Sequence, residues 1–95
     1  MLSRLILKYF VWKKYKIEFH KRSVRKNNQW YTMRDTFAMQ TLRDLQEKYR
    51  FEILQMDLKS YTCTVTIRCH KNDRLKIFTD FCSEIGEYIE NVNMK

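Results

Sequence analysis

Lysines and arginines interleaved with aromatic rings are the residues of this chain best suited to chemistry on a ligand. Residues 2–26 contain nine cations and one acid, Glu18, and so carry the whole formal charge of +8. The remaining residues hold ten of each sign and sum to zero. Lys13, Lys14, Lys16, Lys21, Arg22, Arg25 and Lys26 crowd the second half of the basic stretch, with Trp12, Tyr15 and Phe19 among them and Trp30 and Tyr31 just beyond. Cationic side chains neutralise phosphates and release counterions, and exposed rings stack on bases. The pattern points to a nucleic acid, with DNA and RNA equally suited. The expected contacts are those seven cations, Trp12 and Trp30 as stacking groups, and Arg68 from a later strand. Tyr15 and Phe19 alternate with charged residues, so they are expected in the core.

Other chemistries fit less well. Cys63, Cys69, Cys82 and His70 are the plausible soft metal ligands, with His20 more remote. Cys63 and Cys69 lie six residues apart on one expected strand, about 20 Å at 3.3 Å per residue, too far for one tetrahedral zinc. An odd number of cysteines without disulfide-scaffold spacing suits a reducing compartment, so a cytoplasmic location is expected. Glu84, Glu87 and Glu90 recur every third residue and read as a solvated helix face rather than a nuclease-like carboxylate cluster. Gly86 is the sole glycine, which excludes a P-loop and a GxGxxG turn. Neither serine nor histidine spacing suggests a triad. No enzymatic activity, metal or cofactor is expected.

The chain's 95 residues make one domain with a modest core. No apolar run reaches the roughly 20 residues of a membrane span. Ala38 is the only alanine and proline is absent. Scarcity of the three residue types with the most G+C-rich codons suggests an AT-rich genome, such as a phage or plasmid. A G+C-rich coding sequence would contradict that. Without glycine, tight primed turns must fall to Asn, Asp, Ser or Lys.

Residues 2–12 read as a short amphipathic helix, with a strand as the alternative. Residues 14–22 alternate as a half-buried strand. Residues 23–29 are a polar turn, and 30–34 should return as the second arm of a hairpin. A helix follows over 35–49, capped by Asp35, with Phe37 or Ala38, Thr41 or Leu42, Leu45 and Tyr49 inward. Residues 51–58 alternate imperfectly, Lys59 and Ser60 make a turn, and 61–70 form the clearest strand. Its Tyr61, Cys63, Val65, Ile67 and Cys69 oppose a threonine-rich face. A final helix is expected over 74–92, with Leu75, Phe78, Phe81, Cys82, Ile85, Tyr88, Ile89 and Val92 as its apolar stripe.

The order ββαββα, with a possible leading helix, makes an α+β fold: an antiparallel sheet with both helices on one face. A ferredoxin-like arrangement, its first strand supplied by the N-terminal region, is the alternative. The leading functional expectation is a small non-enzymatic nucleic-acid-binding protein. A protein-interaction or inhibitor module docking on an acidic partner comes second. Peripheral membrane binding through residues 2–12 comes third. Opposite charges on the basic end and the last helix also suggest a homodimer.

Overall fold

The computed structural model describes residues 11–95. The expected helix over 2–12 therefore lies almost wholly outside the described residues. The elements are β1 (Trp12–Lys21), β2 (Val24–Lys26), β3 (Gln29–Tyr31), α1 (Asp35–Lys48), β4 (Phe51–Asp57), β5 (Thr62–His70), α2 (Arg74–Ile85), a 3-10 turn (Gly86–Tyr88) and β6 (Ile89–Met94). Four strands make one antiparallel sheet in the order β4-β5-β1-β6, while β2 and β3 pair only with each other. With that small ribbon set aside, the connectivity is β-α-β-β-α-β, the split arrangement of ferredoxin-like domains. The α+β class and the single helix-covered face are as expected; the order ββαββα is not.

Two long-range pairings explain the difference. Residues 14–22 do not form a hairpin with 30–34. β1 instead lies centrally, with Ile17 opposite Val65 of β5 and opposite Met94 of β6. From Lys16 onward its backbone is thereby paired on both edges. The ribbon closes separately through Asn27 (φ 51°) and Asn28 (φ 62°). Two successive left-handed residues are what a type I′ turn requires, and asparagine fills the role glycine usually takes.

The last helix is also shorter than its apolar stripe predicts. α2 stops at Ile85, and residues 89–94 cross over to become an edge strand on β1. Ile89, Val92 and Met94 all pack against the core in that setting. The extra residue between the Glu18–Asn93 and His20–Glu90 pairs is a β-bulge at Asn91 (φ 54°). Within α2, Ile77, Phe81 and Ile85 are the buried stripe, whereas Leu75 is 62% exposed. Glu84, Glu87 and Glu90 consequently fall on three different elements, and the single acidic helix face behind the homodimer expectation is not formed.

The core lies between the sheet and the two helices. Ile17, Phe19, Cys63, Val65, Ile67 and Cys69 face it from the central strands, and Ala38, Leu42 and Leu45 from α1. Phe19 and Phe81 meet with ring centroids 5.6 Å apart. Fully burying side chains of this size contributes about 1.5–3 kcal/mol each. The imperfect alternation of β4 also has a cause. A bulge between Ile53 and Gln55 makes Leu54 an extra, exposed residue, so Phe51 and Ile53 before it and Met56 after it pack on the same core. Arg34, not Asp35, precedes the first turn of α1, and Asp35 turns its carboxylate to Lys21.

Candidate nucleic-acid interface

Even-numbered positions of β1 and β5 line the sheet face that no described helix covers. Trp12, Lys14, Lys16, Glu18 and His20 stand there beside His70, Arg68, Thr66, Thr64 and Thr62 in direct register. Lys14 is opposite Arg68, and Lys16 is opposite Thr66. On its other side Lys16 exchanges backbone hydrogen bonds of 3.0 and 2.9 Å with Lys95. Two of these cations are neutralised: Arg68 lies 3.5 Å from the Glu52 carboxylate and Lys95 lies 3.4 Å from Glu18. Lys14 and Lys16 are exposed and have no ion pair or hydrogen-bonded side-chain partner among the described residues. Lys13 shares the helix-side face with Cys69 but sits exposed at the strand's start.

The other expected contacts lie at and beyond the far end of β1, which is about 23 Å from Lys14 at 3.3 Å per residue. Three are engaged within the fold. Lys21, whose side chain is 11% exposed, is 2.5 Å from Asp35. Arg22 donates from Nη2 to the Glu87 carbonyl at 2.6 Å. Lys26 donates to the Tyr88 hydroxyl at 2.8 Å and pairs with Glu87 at 3.1 Å. Hydrogen bonds to Tyr88 and then Glu87 hold its pKa above the usual lysine value. Arg25 and Trp30 face each other across the ribbon, and Trp30 is 69% exposed. Among the described residues, the charge that forms one block in sequence therefore divides into a group on the open sheet face and a group at the ribbon, rather than one continuous patch.

Between the ribbon, the start of α1 and the 3-10 turn lies a cleft of about 570 Å³. The rings of Tyr31, Phe37 and Tyr88 line it with Lys26 and Arg34. Phe37 and Tyr88 meet edge to face, centroids 5.9 Å apart at 76°. Sequence reading missed this site because it placed Tyr88 in the stripe of a continuous helix and offered Phe37 as an inward residue. The pairing of a ribbon with a turn some 60 residues later leaves no local signal.

Burial pushes the Cys69 thiol up to about 11, and desolvation also raises Cys63 and Cys82. Cys63 donates to the Ser60 carbonyl at 3.2 Å. No three His, Cys, Asp or Glu side chains are grouped to hold a metal among the described residues. At the lower end of the open face, Tyr61 donates to Glu90 at 2.7 Å, and that bond raises its pKa. His20 stacks obliquely on Tyr61 and shares a 3.1 Å hydrogen bond with Asn91. No described helix is long and apolar enough to cross a membrane.

Comparison with known proteins finds no matching family model, no matching curated protein and no matching solved structure.

Proposed function

We propose that this chain is a small non-enzymatic nucleic-acid-binding protein that meets the phosphate backbone with the open face of its sheet. The observation that carries this reading is the pair Lys14 and Lys16, exposed side by side on one face without a partner among the described residues. An ammonium group already held by a carboxylate must lose that contact to bind phosphate, whereas these two need not. Thr64 and Thr66 on the adjacent strand add hydroxyl donors of the kind that contact phosphate oxygens without reading sequence. An antiparallel sheet face that no described helix covers is also a surface on which a single strand can lie. A mobility-shift titration across salt tests the reading. Binding should weaken steeply with salt and be weaker, with a shallower salt dependence, in the Lys14→Gln/Lys16→Gln protein; no binding by the wild type at about 50 mM salt removes it.

A protein partner is the second reading, favoured by the exposed Trp30, Tyr31 and Phe37 near the ribbon. Tryptophan and tyrosine anchor many interfaces. A stoichiometric protein complex that survives nuclease treatment and is lost in Trp30→Ala would favour it. The membrane reading draws on residues that mostly lie outside the described ones.

A further inference from the structure

We infer that the cleft between the β2–β3 ribbon and the start of α1 is a nucleotide site, holding a flat base against its rings and the attached phosphate on Arg34. The site stands at the opposite end of β1 from Lys14 and Lys16, so it does not rest on the sheet-face reading. Its volume of about 570 Å³ falls within the roughly 300–1,000 Å³ typical of small-molecule sites. Rings from three separate elements converge there: Tyr31 from β3, Phe37 from α1 and Tyr88 from the 3-10 turn. An edge-to-face pair such as Phe37–Tyr88 leaves one ring face available for a planar ligand.

The cleft is preorganised. Lys26 bonds the Tyr88 hydroxyl and sits 4.9 Å from that ring's centroid, which fixes the ring in place. Its charge is already met by Glu87, so Lys26 positions rather than binds. Arg34 is different. It is exposed at the rim, and its guanidinium has no partner among the described residues. No Asp or Glu lines the cleft, so the electrostatics favour an anion. A guanidinium takes phosphate in a bidentate geometry, and bases stack on aromatic faces with little preference among the four. Thr36 supplies a hydroxyl for the base edge or ribose, while that of Thr32 is shared with Ser23 at 2.9 Å. A ring joined to a phosphate matches all of these groups together, which neither an apolar molecule nor a bare anion does.

The test follows the ring resonances of Tyr31, Phe37 and Tyr88 by nuclear magnetic resonance while 5′-AMP, GMP, CMP and UMP are titrated in turn. Saturable shifts should appear for at least one of them. The corresponding nucleoside should bind about tenfold more weakly. Arg34→Gln should cost a similar factor for the nucleotide and little for the nucleoside, and Phe37→Ala should weaken both. Lys76→Gln, an equal charge change on α2, should change neither. Circular dichroism establishes that each variant is folded. Unmoved rings at about 10 mM of every mononucleotide, or nucleotide binding as tight as the wild type's in both Arg34→Gln and Phe37→Ala, overturns the inference. A single-stranded oligonucleotide then separates the sources. Displacement of the mononucleotide means that the cleft takes a nucleotide of a strand; coexistence means that it takes the free nucleotide. Loss of oligonucleotide binding in the Lys14→Gln/Lys16→Gln protein bears only on the sheet face.

Discussion

The ammonium group of Lys26 lies 3.1 Å from the carboxylate of Glu87, joining the ribbon to the turn between α2 and β6. With Arg22 bonded to the carbonyl of the same glutamate, two cations of the basic stretch act as internal fasteners. Lys26→Met should loosen the ribbon locally. Amide hydrogen exchange over residues 24–31 should rise while exchange in β5 stays the same, because the sheet core is remote from the contact. Unchanged ribbon exchange would show that the β2–β3 pairing holds the ribbon by itself.

Cations from one block of sequence should behave in opposite ways. Lys14→Gln/Lys16→Gln should lower the slope of log K against log salt for nucleic-acid binding by about 1.4–1.8, the contribution of two phosphate contacts, and leave the melting temperature nearly unchanged. Lys21→Met should leave the slope alone and destabilise the fold by about 0.5–1 kcal/mol, since it removes the partner of an Asp35 carboxylate that water still reaches. Equal slopes in the wild type and the Lys14/Lys16 variant would sink the sheet-face interface.

Local periodicity made much of this fold legible. β5 alternates from Thr62 onward, and its inward Cys63, Val65, Ile67 and Cys69 are all fully buried. Tyr61, expected to point inward with them, precedes the strand and is 59% exposed, its hydroxyl bonded to Glu90. α1 buries Ala38, Thr41, Leu42 and Leu45 at the expected spacing. What escaped depended on partners distant in sequence. Ile85, Ile89 and Val92 satisfy a helical stripe as well as they satisfy a helix end followed by a strand. The choice is made by the free edge of β1, some 70 residues earlier, which needs a strand. Leu54 disturbs the alternation of β4 because a bulge absorbs it, and a bulge is fixed by the neighbouring strand. For the interface, sequence located the cations but not their partners. Lys16 and Lys21 look alike in a basic run; only the position of Asp35 separates a free charge from a paired one.

Asp80 of α2 accepts hydrogen bonds from Lys48 at 2.9 Å and from the Tyr49 hydroxyl at 2.8 Å, clamping α2 to the end of α1. Those bonds, Lys48 first, hold its pKa below the ordinary carboxylate value. A carboxyl that binds its proton less readily when folded stabilises the fold fully above its unfolded pKa of about 3.9, and that contribution drains away as pH falls towards the lower folded value. Denaturant midpoints measured from pH 7 to pH 2 should therefore fall less steeply below pH 4 for Asp80→Asn than for the wild type. Parallel curves would mean that the clamp is open in solution.

Burial should make the three thiols slow to react. Cys69, raised to about 11, is almost wholly protonated at pH 8, and the thiolate is the nucleophile. Reaction with an aromatic disulfide reagent at pH 8 should release far less than three equivalents promptly from the folded protein and all three in denaturant. Cys82, only half-buried, should react before Cys63 and Cys69. Rapid modification of Cys69 in the native state would mean that the β5 end of the sheet opens readily.

Gly86 sits where the helical path ends, and its conformation asks nothing of glycine. Its backbone is right-handed helical (φ −57°, ψ −31°), and a Cβ placed there meets no atom within 4 Å. Gly86→Ala restricts the unfolded chain at no steric cost to the folded one, so it should stabilise the protein by about 0.4–1 kcal/mol. Asn91 provides the contrast, five residues on. Its φ of 54° lies in the left-handed region, which a β-branched residue resists, and its side chain also bonds His20. Asn91→Val should cost at least about 1–2 kcal/mol. Urea unfolding of both variants decides the matter. If Gly86→Ala destabilises instead, the alanine is extending α2 into residues that must form β6, and the competition between helix and strand at this junction is closer than its geometry implies.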